Sequence, residues 1–128
     1  MAAKKKNTGT EVVSSRSIDH VNAVIVVGEV ARDASLAEAA DGRVFVSFDV
    51  VCRTDEGRTV VPVTLEGEMA VNAGETVVVS GVVHKRFFAA GAGLASRTDV
   101  RAHKVTVVRR KDQVARAVAV HSALLPSG

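Results

Sequence analysis

Apolar positions crowd this chain in short runs broken by turn residues, and their period changes once, near Lys111. Val21-Asn22-Ala23-Val24-Ile25-Val26-Val27-Gly28-Glu29-Val30 is β-branched and apolar at odd and even positions alike, with a glycine near its end. Such a run suits a strand that is covered on both faces or bends sharply. A first strand is expected from Asp19 to Arg32. Asp33 to Gly42 is polar and Ala-rich and closes on Asp41-Gly42, a hairpin-turn pair. A second strand is expected over Arg43 to Arg53. Its alternation turns Phe48, Val50 and Cys52 inward and Phe45, Ser47, Asp49, Val51 and Arg53 outward. Thr54 to Arg58 reads as a tight turn and Thr59 to Leu65 as the third strand, where Pro62 requires an edge or a bulge. Glu66 to Gly74 has room for about one helical turn. A fourth strand is expected over Glu75 to Phe88, a Gly/Ala loop over Ala89 to Ala95, and a fifth strand over Ser96 to Arg109. Beyond Lys111, Val114, Ala117, Val118, His121, Leu124 and Leu125 recur three or four apart, one face of a short helix that Pro126 stops.

The fold class expected is therefore all-β. Five strands with a short element between the third and fourth match the OB-fold, a partly open Greek-key barrel; another small all-β barrel is the alternative. Residues 1–16 are polar and basic without periodicity, and are expected to be a flexible tail. Residues 17–110 make the OB-fold domain, and residues 111–128 an amphipathic C-terminal segment.

Composition narrows the setting. A chain of 128 residues makes one domain. Nearly half of it is apolar, mostly Val and Ala, with four Phe and neither Trp nor Tyr. A single cysteine, Cys52, excludes an intramolecular disulfide and points to a reducing compartment; its simplest role is a small buried residue. No apolar run approaches a membrane span, and Met1-Ala2-Ala3-Lys4-Lys5-Lys6 lacks the apolar region of a secretory signal. A cytoplasmic location is expected. Charge is divided unevenly. Up to Val83 there are eight Lys/Arg against twelve Asp/Glu, a net of −4; from His84 onward there are nine against two, a net of +7. A basic second half attracts a polyanion, and nucleic acid is the commonest one, although a solvated basic surface has the same composition.

The order V-N-x-V-I-x-V-G-x-V-x-x-D from Val21 to Asp33, then V-x-x-x-G-x-V-x-x-R-x-F from Val77 to Phe88, then Thr98-Asp99-Val100, resembles the bacterial single-stranded DNA-binding protein family. The resemblance spans residues 18–108. It implies an OB-fold and non-catalytic, sequence-independent binding of single-stranded DNA in replication, repair or recombination, with a nucleoid-associated location. It implies that Phe88 stacks on a base; stacking tolerates any sequence because every base has a π-face. Phe87 is adjacent and points the other way, so one ring can be core while the other is exposed; both covering the hairpin base is the alternative. Lys85, Arg86, Arg97 and Arg101 flank the same hairpin and suit phosphate contacts. Phe45, whose outward position suits the ligand face and packing equally, and Arg53 complete the expected interface. The resemblance further implies a homodimer or homotetramer built on the first strand, with Val21, Val24, Ile25 and Val26 at the interface. An edge strand apolar on both faces needs a cover, which agrees with that expectation.

The chain departs from the family between its two matching segments. The connection from Thr54 to Arg58 has no aromatic residue, and Glu66 precedes Gly67 where members often carry an aromatic. No acidic tip of the family's kind is expected; Arg109-Arg110-Lys111 and the helical segment are expected in its place and offer a surface for a protein partner. An OB-fold module that binds protein and has lost DNA is the second functional reading. Exposure of Phe88 beside basic side chains favours the first reading, and burial of both rings the second. Gly91-Ala92-Gly93-Leu94-Ala95-Ser96 fits a dinucleotide spacing loosely, but a strand follows it where a helix would be needed. His20, His84, His103 and His121 are scattered, so no metal site is expected. Ser14, Ser15, Ser47 and Ser80 lack a nucleophile-elbow setting, no acid/base pair stands out, and neither a cofactor nor an enzymatic activity is expected.

Overall fold

The computed structural model describes residues 20–125. Its strands are β1 (Val24–Val30), β2 (Ser35–Glu38), β3 (Val44–Thr54), β4 (Gly57–Glu66), β5 (Thr76–Ala90) and β6 (Gly93–Val108), followed by helix α1 (Val114–Leu124). Five of them close a ring in the order β1-β5-β6-β4-β3-β1, and β2 hangs on the outer edge of β3. All pairings are antiparallel except β4 with β6, which run parallel over Val63–Leu65 and Val100–Ala102. This is the five-stranded Greek-key barrel expected from the sequence. The expected tail lies outside the described residues, as does Asp19.

Alternation writes the core. Val46, Phe48 and Val50 of β3 turn inward to meet Val26, Val30, Val63, Val77, Val79 and Val100. Five of these valines are 0–1 % exposed, and each fully buried one contributes about 1.5–3 kcal/mol. Cys52 packs half-buried against this cluster, and burial raises its thiol pKa. Val51 faces outward as expected but is buried, because β1 closes over β3 at Glu29↔Val51. The crossing needs Gly28: a Cβ there would run into the carbonyl oxygen of Val51. Gly81 serves the β5–β6 pair in the same way. The register shifts between Ser80 and Gly81, so His103 bulges, and a Cβ on Gly81 would collide with the backbone of Arg101. Pro62 sits where β4 is an edge, just before β6 joins at Val63.

Three expectations are corrected. Ser35–Glu38, expected as part of a polar connection, pairs with β3 as a short exposed strand. No helical turn forms between Glu66 and Gly74; the chain passes through Gly67 and Gly74, both at positive φ. The expected loop from Ala89 to Ala95 is mostly strand: β5 and β6 stay paired as far as Ala90↔Gly93, and only Gly91 and Ala92 turn. A two-stranded ribbon therefore projects from the barrel.

Helix α1 packs on β5, β6 and β1. Val77 and Val79 point into the barrel, so Val78 and Ser80 lie on its outer surface, yet they are 0 % and 2 % exposed beneath the helix. His121, fully buried, fixes the contact: its Nδ1 is 2.7 Å from Ser80 Oγ and its Nε2 is 2.9 Å from Thr106 Oγ1. Desolvation, then the charge of Lys104, lowers its pKa. The helical face expected from the sequence is the one that packs, except Leu124, which is 60 % exposed at the helix end while Leu125 takes the half-buried position.

Candidate nucleic-acid interface

Strand register gathers side chains that are distant in sequence onto one outer face of the barrel. On β3, Phe45, Ser47 and Asp49 alternate with the core residues. Ser47 lies opposite Thr64 of β4, which neighbours Arg101 of β6. On the projecting ribbon, His84 pairs with Asp99, Arg86 with Arg97, and Phe88 with Ala95. Residues opposite each other share a face. Phe88, Arg86, Arg97, Arg101 and Phe45 therefore occupy one continuous surface.

Of the three depressions that cut this face, two exceed 200 Å³. One, about 220 Å³, is walled by Phe45, Ser47, Thr64, Arg86, Asp99 and Arg101. The other, about 210 Å³, runs between the β1–β3 connection and the ribbon, lined by Arg32, Asp33, Ser35, Ser47, Asp49 and Arg97. This is the cleft between the first connection and the late hairpin over the second and third barrel strands, where OB-folds take oligonucleotides.

Phe88 is 48 % exposed, on the same ribbon face as Arg86. Phe87 is 68 % exposed on the opposite ribbon face, with Lys85 Nζ 5.5 Å from its ring centroid. Neither ring is core, so the alternative in which both cover the hairpin does not hold. Phe45 is half-buried with the Arg43 guanidinium 5.4 Å over its ring. Arg43 also reaches Glu66 at 3.6 Å, which offsets the carboxylate. Arg53 stands apart at the far end of β3, 3.6 Å from Glu29, and is not gathered with the other cations.

The residue at the centre of this face, Asp99, is not among those expected from the sequence to form the interface. Asp99 is 4 % exposed; its Oδ2 accepts a hydrogen bond from Thr64 Oγ1 at 2.9 Å, and lies 3.7 Å from Arg101 Nε. His84 Nδ1 stands 3.4 Å from Oδ1. The even spacing of Arg97, Asp99 and Arg101 placed the acid on this face, but its partners arrive only with the fold. Among the described residues no three His, Cys, Asp or Glu side chains cluster as metal ligands, and no helix is long and apolar enough to cross a membrane.

On β1 the even positions turn inward: Val26 is buried and Val24 packs on the core. Of the expected oligomer interface, the side chains left outside are Ile25, half-buried, and Val21, 50 % exposed. β3 meets β1 only at Glu29 and Val30, so from Val24 to Gly28 β1 has one edge with no strand partner among the described residues.

No family model matches the chain, and no curated protein matches it by sequence. Solved structures do. A Plasmodium falciparum SSB in complex with ssDNA matches with a TM-score of 0.62 at 11 % identity, over 73 % of this chain and all of that one. The dimeric N-terminal domain of PriB from Thermoanaerobacter tencongensis matches with a TM-score of 0.56 at 20 % identity, over 70 % of this chain and 98 % of that one. The likeness shows the fold: the chain is an OB-fold.

Proposed function

We propose that this protein binds single-stranded DNA without sequence preference and without catalysis, as a diverged relative of the single-stranded DNA-binding proteins. One observation carries the reading: Phe88 is exposed on the same face as Arg86, Arg97 and Arg101. A ring offers base stacking and the guanidiniums offer phosphate pairing, the two contacts that non-specific single-strand binding combines. The ssDNA in the Plasmodium complex and the dimer of PriB support the same reading. Few rings are available, so affinity leans on charge. Duplex is disfavoured, because its bases are already stacked.

The unpaired edge of β1 supports a two-fold dimer through that strand, with Ile25 and Val21 beside the seam, and two such dimers can pair again. The service is replication, repair or recombination, in the cytoplasm at the nucleoid. Anisotropy titrations of one labelled oligonucleotide, single-stranded and annealed, test the reading. Tighter binding of the single strand is expected; equal affinities would overturn it.

A further inference from the structure

The packing of α1 leaves a groove between the helix and the second half of β6. Its walls are Thr106, Val107 and Val108 on the strand side and Gln113, Ala117 and Val120 on the helix side, around a volume of about 340 Å³. Lys104 and Arg116 stand at its rim, both exposed, and neither has a carboxylate within ion-pair distance among the described residues. Val120, 47 % exposed, and Leu124, 60 % exposed, continue the apolar surface along the helix. The bulge at His103 keeps Lys104 on the same outer side of β6 as Arg101, but the groove shares no lining residue with the depressions around Arg86, Arg97 and Arg101.

We propose that this groove is a docking site for a short acidic segment of a partner protein that carries aliphatic or aromatic anchors. Apolar walls under two uncompensated cations match an acid-rich peptide with apolar side chains. They suit nucleic acid poorly, since no wall residue offers a ring for a base. They suit the chain's own N-terminal stretch poorly too, because Lys4, Lys5, Lys6 and Arg16 outnumber Glu11 and Asp19 there.

The probe is a labelled peptide of alternating Asp and Leu ending in Phe, with a Lys-for-Asp counterpart as control. The acidic peptide is expected to bind saturably and the basic one not at all. Lys104→Glu with Arg116→Glu should weaken peptide binding at least roughly tenfold while leaving oligo(dT) binding within about twofold. Four results overturn the proposal: no binding of the acidic peptide; an equal loss in Arg86→Glu with Arg97→Glu, which assigns the peptide to the strand face; weaker oligo(dT) binding in the Lys104/Arg116 variant, which assigns the groove to nucleic acid; or a changed oligomeric state on sedimentation, which assigns it to a second copy. Should the variant fold poorly, amide shifts of the unmodified protein decide. Peptide should move Lys104–Val108 and Gln113–Val120; shifts confined to Phe45, Arg86 and Arg97 contradict the proposal.

Discussion

Asp99 is an unexpected residue to find in the middle of a cationic face, and burial explains how it is held there. Thr64 donates its one tight hydrogen bond at 2.9 Å, while His84 and Arg101 stand at longer range. Removing that donor strands a buried carboxylate, so Thr64→Val is expected to cost about 1–3 kcal/mol in urea denaturation. An unchanged midpoint would show that Arg101 and His84 suffice. Arg97 has a simpler role. It is exposed and forms no ion pair among the described residues. Arg97→Ala should lower the slope of log affinity against log salt by about 0.7, one phosphate's share on a single strand. Phe88, Arg86, Arg97 and Arg101 were legible in the sequence because alternation within a hairpin decides which of them share a face. Asp99 was not, because Thr64 lies 35 residues away and only the parallel β4–β6 pairing brings it alongside.

Elements were legible where one face is buried. β3 alternates over Val46–Val50, and both β3 and β4 fall within a residue or two of their expected bounds. β2 was invisible, since all four of its residues are exposed and no core imprints a pattern on Ser35-Leu36-Ala37-Glu38. The ribbon was cut short for a related reason: Ala89, Ala90 and Leu94 read as loop, and only cross-strand register extends the strands through them. Helix α1 was legible by its period, but its function in the fold was not. Part of the barrel's apolar outer face is covered by this helix, and His121 is the pin. Its folded-state pKa is lowered, so the unfolded chain binds the proton more readily and stability rises with pH. The contribution is present above the ordinary histidine value of about 6.5 and is lost as pH falls below it. Melting between neutral pH and pH of about 5 should therefore show a drop that His121→Gln reduces. An identical drop in the variant would place the pH sensitivity elsewhere.

At the scale of the whole molecule, charge and assembly decide how the face is used. The basic second half of the sequence divides in the fold between the face that carries Arg86, Arg97 and Arg101 and a groove beside α1, a division that composition alone does not contain. The proposed assembly through β1 would add a second copy of each. Ile25 points outward beside the unpaired edge, so Ile25→Lys is expected to yield a folded monomer with weaker binding to long oligonucleotides, measured by sedimentation and anisotropy. A monomeric unmodified protein at micromolar concentration would contradict this. The central claim is that Phe88 stacks on a base from a cationic OB-fold face. It is tested most directly by titrating labelled oligo(dT) with the unmodified protein and with Phe88→Ala across a salt series, alongside their melting temperatures. If Phe88 stacks, Phe88→Ala loses about 1–3 kcal/mol at every salt concentration, with a parallel slope and nearly unchanged melting. Unchanged affinity, or a loss matched by a collapse in melting temperature, would contradict it.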